Sequence, residues 1–453
     1  MQLKKVIITE LMLLIIGAHS NTMYAQEAGI QKMTLHDCME YAVSNSTQMR
    51  ISKADRNDEQ ALRRQSILEV FTPSINAETN AYNQYGRNLD PETNTYKSVT
   101  TFHNGYSVSA NITLFDGLQS INNMRIAKTT AKMGLSKEQE TCDKICLATM
   151  EAFYNYTYYN MMEDVLAEQV TTAKAALQRA QREEELGRKN HADVVQMESE
   201  LAQKEYQHTE VCNKMNDAMI TLKDVMFWPA EDTLSVDCDI IEPRMQAANA
   251  EEMIALSQTT LPSAQIAQAN LRNAELGLKA AKGAYMPTLR FSAGWSTSYY
   301  TYPGMKDYKA PAFGTQFRNN AGEYIQLHLS IPIYDKFKRR TAVKQKANAV
   351  TRAKAELDQR MRDIENEVCR AVNDSRGAEA SFRSADKLAM LQDEAFRLSQ
   401  RQYEMGIISA IEYQTASQNF LNAKAERLNN LLKWKLTNAI VRYYNGESYI
   451  NQR

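Results

Sequence analysis

The chain has 453 residues, with 53 Lys plus Arg against 54 Asp plus Glu and a formal net charge of −1. So balanced a composition offers no basic excess for nucleic acid. Past the N-terminus no apolar run approaches the roughly 18–20 residues that a transmembrane helix needs, whereas the short, alternately apolar strands of a transmembrane β-barrel are not excluded.

Residues 1–25 read as a secretory signal peptide. Lys4 and Lys5 precede the apolar stretch Leu11 to Gly17, and small residues lead to Ala25-Gln26. No cysteine lies near the cut, which argues against a lipid anchor there. Export would permit disulfides, yet Cys142 and Cys146 lie four apart on an expected helix. That geometry sets their side chains parallel on one face, which suits a small packed pair better than a bridge.

Residues 26–245 form a first unit. A helix over about Leu35 to Leu68 leads into a strand pair within 74–115, with strands at Ile75 to Tyr82 and Tyr106 to Leu114. Between the strands runs a polar loop, Gly86 to Gly105, carrying Arg87, Asn88, Asp90 and Pro91. In the second strand Tyr106, Val108, Ala110, Ile112 and Leu114 alternate with polar residues, the period of a sheet with one apolar face. A long helical hairpin follows over 117–227. Proline is absent from Glu92 to Trp228, and glycine between Leu118 and Trp228 is confined to Gly134 and Gly187. Such a stretch is helix-forming by propensity, and at 1.5 Å per residue its first arm would run roughly 105 Å. The return arm, about Ala192 to Met226, is shorter, so the preceding helices must complete the top of the bundle.

Residues 246–453 repeat this order. A helix over Glu251 to Gly283 precedes a strand pair within 288–334 and a second hairpin over 336–445. Phe71-Thr72-Pro73 is echoed by Tyr285-Met286-Pro287, Ile112-Thr113-Leu114-Phe115-Asp116 by Ile331-Pro332-Ile333-Tyr334-Asp335, and Gly187 by Gly406. The aspartate and glycine lie 71 positions apart in both copies, as an internal duplication requires. Leu289 to Thr297 and Ile325 to Ile333 alternate with period two. The loop between them, Pro303 to Gly322, carries Lys306, Asp307, Lys309 and Asn319. In the second hairpin Val343, Ala347, Val350, Leu357, Met361, Ile364, Val368 and Ala371 form a narrow coiled-coil stripe, as do Leu421, Ala425, Leu428, Leu432, Leu436 and Ala439. Aromatics cluster at the strand ends: Tyr82, Tyr85, Phe102 and Tyr106, then Tyr299, Tyr300, Tyr302 and Tyr324. Such clusters favour a membrane barrel with interfacial girdles over a soluble sheet. Four strands cannot close a barrel, and open edges in lipid leave backbone groups unpaired. Two chains would pool 8 strands and three would pool 12; the sequence alone does not choose.

The strand ending in Ile331-Pro332-Ile333-Tyr334-Asp335, the turn Tyr403-Glu404-Met405-Gly406, and the tail from Leu421-Asn422-Ala423-Lys424 to Tyr443-Tyr444-Asn445-Gly446 resemble the TolC family of outer-membrane channels. The resemblance runs from about Leu35 to Gly446. It implies a mixed fold: a homotrimer sharing one 12-stranded β-barrel in outer-membrane lipid, four strands per chain, continuing into a long periplasmic α-helical coiled-coil barrel. It further implies a passive exit duct working with a periplasmic adaptor (membrane fusion) protein and an inner-membrane efflux transporter. The same architecture would serve type I protein secretion, and a soluble periplasmic coiled-coil scaffold is the alternative of another class.

By position, the segments after Gly187 and Gly406 are hairpin tips at the periplasmic end. Gly187, Asn190, Asp193, Gly406 and Ser409 are the expected adaptor-contact residues. Acidic Asp193 and Glu412 each stand six past the glycine. The resemblance makes Glu412 the gate candidate, with Thr415 where a second acid can occur. Both acids also suit an ordinary helix first turn, where the dipole favours them. No catalytic chemistry is expected. The six histidines show no metal-ligand spacing, and neither a glycine-rich phosphate loop nor a nucleophile elbow occurs. No cofactor and no metal are expected.

Overall fold

The computed structural model describes residues 32–451, apart from 90–93, 99, 240–241, 243–248, 304 and 306–308. The expected signal peptide, and the loop residues Asp90, Pro91, Lys306 and Asp307, lie outside the described residues. In chain order the helices are α1 (Leu35–Asn45), α2 (Thr47–Phe71), α3 (Gln119–Glu185), α4 (His191–Met226), α5 (Ala250–Thr260), α6 (Pro262–Gly283), α7 (Phe313–Asn319), α8 (Lys338–Glu404) and α9 (Ala410–Tyr444). The strands are β1 (Ser74–Gln84), β2 (Arg87–Leu89), β3 (Tyr96–Ser98), β4 (Thr101–Phe115), β5 (Thr288–Thr301) and β6 (Gly322–Ser330).

The duplication is visible in the lengths. α3 and α8 each have 67 residues, and their return helices α4 and α9 have 36 and 35. A 67-residue helix is roughly 100 Å long. The return helices therefore cover only the lower part, and α2 and α6 line the upper part, with α2 on α3 and α6 against both α3 and α8. Polar pairs fix this packing: Arg56 with Glu138 at 2.7 Å, Lys137 with Glu59 at 3.1 Å, and Asn273 Nδ2 donating to Thr130 Oγ1 at 3.0 Å. The coiled-coil stripe behaves as read. Ile364, Val368, Ala371, Leu421, Leu428 and Leu432 are buried, while Val343, Ala347 and Val350, higher on α8, stay half-buried.

Three sequence expectations need correction. The first helix of each copy is broken in two. Ser46 caps α2, accepting the Met49 N–H at 3.3 Å, and Pro262 begins α6 because it has no N–H to continue α5. The last strand stops at Ser330 rather than running on through Ile333, since Pro332 has no ladder donor. Finally, the strand-pair loops are not wholly irregular: β2 pairs with β3, and α7 sits between β5 and β6.

β1, β4, β5 and β6 form one antiparallel sheet in that order, so the two copies join through β4 and β5. Register fixes the faces, because directly paired residues share a side. Ile75, Ala110 and Ala293 align with Ile325; Ile112 and Phe291 align with Leu327; Leu289 aligns with Leu329. The opposite face carries Asn76, Ser109, Gly294, Ser292 and Gln326, with Ser292 Oγ donating to Asn111 Oδ1 at 2.7 Å. The aromatic clusters divide between these faces. Phe102, Tyr106, Trp295 and Tyr299 lie on the apolar side, where Phe313 and Phe317 of α7 pack against them. On the polar side Tyr82 stacks on His103, and the Tyr300 ring lies beyond it at a tilt.

The repeated aspartates have a structural reason. In each copy two left-handed residues, Gly117-Leu118 and Lys336-Phe337, turn the chain from sheet to long helix. The Asp116 carboxylate then accepts the Ser120 N–H at 2.8 Å, and Asp335 accepts the Arg339 N–H at 2.9 Å. These caps satisfy helix-end donors that the turn leaves without carbonyl partners. Asp335→Ala should therefore lower stability by about 1 kcal/mol, read as the unfolding midpoint of the helical circular dichroism signal in detergent. Asp335→Asn, which keeps an acceptor, should lose less.

Candidate functional site: the paired hairpin tips

Both 67-residue helices end in the same way. Gly187 has φ +69° and Gly406 has φ +72°, a backbone that glycine adopts without a Cβ penalty. The Gly187 N–H donates to the Glu184 carbonyl and the Arg188 N–H to the Glu183 carbonyl, both at 2.8 Å. Gly406 donates to Tyr403 at 3.0 Å and Ile407 to Gln402 at 2.8 Å. This double closure is the Schellman motif, and it ends each helix in one residue.

The return helices start from caps of unequal strength. Asn190 Oδ1 accepts the Asp193 N–H at 2.9 Å. Ser409 and Glu412 form a reciprocal box. The Ser409 hydroxyl accepts the Glu412 N–H at 3.3 Å, and the Glu412 carboxylate accepts the Ser409 N–H at 2.8 Å and its hydroxyl at 3.0 Å. The Ser409 N–H, and then its hydroxyl, hold the Glu412 carboxyl below the usual carboxylate range. Thr415 lies one turn on and donates its hydroxyl to the Ile411 carbonyl at 2.8 Å. Gly187, Asn190, Gly406, Ser409, Glu412 and Thr415 are all exposed, and Asp193 is half-buried.

The two tips lie side by side. Lys189 Nζ sits 3.8 Å from the centre of the Tyr403 ring, and Arg179 pairs with Glu404 at 3.0 Å. Behind them an aromatic column holds the second hairpin. Tyr403 stacks on Tyr413, Tyr413 on Phe396, and Phe396 on Phe420, with centroids 5.1, 5.8 and 5.2 Å apart. Deeper still, Lys204 is 1 % exposed and pairs with Glu200 at 3.4 Å, and the Ser417 hydroxyl of α9 donates to the same carboxylate at 3.3 Å. A buried pair of this kind ties α4 to α9 in one register, since a slip would leave a charge without its partner. At the surface the tips expose Leu186, Met405, Ile407 and Ile411, each about two-thirds accessible.

Sequence reasoning did not single out the aromatic column, the buried ion pair or the four exposed apolar residues. The column had a signal: Phe396 and Tyr403 are seven apart, as are Tyr413 and Phe420, so each pair repeats on one helix face. The ion pair had none, because Glu200 and Lys204 read as an ordinary solvated i,i+4 pair.

Residues 245–446 match the family model for outer membrane efflux protein. No curated protein matches the chain. Among solved structures it is similar to the Campylobacter jejuni CmeC outer membrane channel, at 13% identity over 92% of this chain and 85% of that one, with TM-score 0.76. The Neisseria gonorrhoeae MtrE outer membrane channel in its open state aligns at 13% identity over 92% and 90%, with TM-score 0.75. CusC, solved in relation to folding and transmembrane channel formation, aligns at 12% identity over 93% and 95%, also with TM-score 0.75. The family match lies in the second copy, whereas the shared fold spans both. The fold is that of outer-membrane channels, with a long helical extension below the sheet.

The Glu412 cap makes the second tip sensitive to acid. A carboxyl held low in the folded state contributes stability in full above its ordinary value near 4.5, and loses it as pH falls through the lowered value. Hydrogen exchange at residues 409–415 should accelerate as pH drops below about 4, after correction for intrinsic exchange. Ser409→Ala removes the hydroxyl but keeps the backbone N–H that is the larger cause, so it should weaken the effect without abolishing it.

Proposed function

We propose that the protein is the passive outer-membrane exit duct of a tripartite efflux pump. Three copies pool their strands into one 12-stranded barrel, and their hairpins form a periplasmic tube. The carrying observation is the sheet. It has four strands and two unpaired edges, β1 and β6, with Ile325, Leu327 and Leu329 exposed on one face. An open edge in lipid costs several kcal/mol for each unpaired backbone group, so the sheet must close with copies of itself. The apolar face suits lipid, and the Asn-, Ser- and Gln-bearing face suits a water-filled bore. A soluble scaffold would hold that apolar face in water, where patches of this kind drive association.

The tips are the proposed adaptor contact. Gly187, Asn190, Asp193, Gly406 and Ser409 set their shape, and Leu186, Met405, Ile407 and Ile411 supply apolar surface for a helical partner. The adaptor would link the duct to an inner-membrane transporter, which would supply the energy. Small molecules are the proposed cargo. Glu412 is the proposed gate residue, its charge narrowing the tube mouth from the cap position; Thr415 beside it adds no charge.

Protein extracted by detergent from the outer-membrane fraction should have the native mass of three chains; a monomer in the soluble fraction would overturn the reading. Leu329→Arg should cost roughly 2–4 kcal/mol near the bilayer midplane and deplete the trimer. Gln326→Arg, on the polar face, should assemble normally. Glu412→Ala should raise the ion conductance of the purified channel. Because Glu412 also caps α9, Ser409→Ala is the control. If both variants raise conductance equally, the cap matters and the charge does not.

A further inference from the structure

Halfway up the first hairpin, α3 and α4 bring together three side chains of metal-ligating chemistry. Glu163 comes from α3, and His208 and Cys212 are one turn apart on α4; one ligand atom from each lies within 4.8 Å of the others. His208 Nε2 is 2.9 Å from Glu163 Oε1, and Cys212 Sγ is 3.8 Å from His208 Nε2. A tetrahedral ion with bonds of about 2.0–2.3 Å would set such donors roughly 3.4–3.6 Å apart. The His208–Glu163 and His208–Cys212 separations bracket that range, and the third lies within 4.8 Å, so small side-chain shifts would convert one arrangement into the other. All three side chains are half-buried, so a cation could reach them. Among the described residues this is the one group of three such side chains so placed.

The duplication supplies an internal control. Asp116 and Asp335 stand 219 positions apart, as do Gly187 and Gly406. The same offset carries Glu163 to Phe382, His208 to Arg427 and Cys212 to Leu431. In the second copy Phe382 and Leu431 are core residues packed with Trp434, and Arg427 lies over the Phe382 ring while pairing with Asp386. That hairpin is closed at this level by apolar packing and an ion pair. The first hairpin has three ligands at the same level instead.

We propose that Glu163, His208 and Cys212 form a binding site for a zinc-class divalent cation, one per chain, that clamps α3 to α4. Carboxylate, imidazole and thiolate together suit a borderline ion such as zinc rather than magnesium or calcium. The ion would take the place of the hydrogen bond between His208 and Glu163 and displace the Cys212 thiol proton, so binding releases a proton to solvent. Water would hold the fourth position. The sequence reading found no metal-ligand spacing among the histidines: His208 and Cys212 stand four apart, and Glu163, 45 residues before His208, joins them only through the hairpin.

The test is titration of the full-length protein in detergent, stripped with chelator, with cobalt(II) as the probe. One equivalent per chain should bind and produce the near-ultraviolet thiolate charge-transfer band. Cys212→Ser should abolish that band, and His208→Gln should weaken binding. No band in the unaltered protein, or a band that survives Cys212→Ser, would overturn the proposal. A second measurement does not depend on variants folding. Zinc should protect Cys212 from alkylation while leaving exposed Cys369 open to it; equal modification of Cys212 with and without zinc would sink the site.

Discussion

A β-strand in lipid cannot leave its backbone unpaired, and every larger feature of this protein depends on how that demand is met. Among the described residues the main sheet has four strands. Its edges, β1 and β6, are exposed along their whole length in a single copy. Closing them sets the width of the bore, and the width sets how many helices must gather beneath it. The Asp116 and Asp335 caps stand at the junction between these two demands. In the first copy only three residues separate the strand from the long helix, so there the sheet's register is passed directly to the tube below; in the second copy seven residues intervene.

Below the junction, specificity passes from backbone to side chains. The two hairpins have nearly equal lengths but differ in what holds them. The second has the stacked column of Phe420, Phe396, Tyr413 and Tyr403 near its tip and the Phe382–Trp434 stack higher up. The first relies on smaller residues and on polar groups, among them the buried Lys204–Glu200 pair. Duplication set the lengths, and later divergence sorted the interiors. Lys189 over Tyr403 then couples the less aromatic tip to the more aromatic one.

Much of this was legible in the sequence because it is periodic. Alternation in Ile325, Leu327 and Leu329 located β6, and the 71-residue spacing from aspartate to glycine located both long helices. Elements that break a period were not legible. The division at Ser46 depends on a cap that looks like any polar helical residue, and α7 folds because Phe313 and Phe317 meet Tyr106 and Trp295 across the sheet. At the tips, glycine and the first-turn acids were readable from spacing. Whether Glu412 faces a neighbour or its own helix was not, because its Ser409 partner is also the most ordinary capping residue. The Glu163–His208–Cys212 cluster was not read from the sequence, since contacts between antiparallel helices depend on where the turn falls.

The bare edges also have a genetic consequence. A protomer whose sheet still pairs, but whose lower tube is broken, would enter assemblies and spoil them. In the proposed trimer each pore would require three sound copies, so a damaged allele expressed beside an intact one would silence more than its own share of pores. Lesions in the helical tube should therefore behave as dominant. Lesions that prevent edge pairing should behave as recessive, because the defective chain never joins the others.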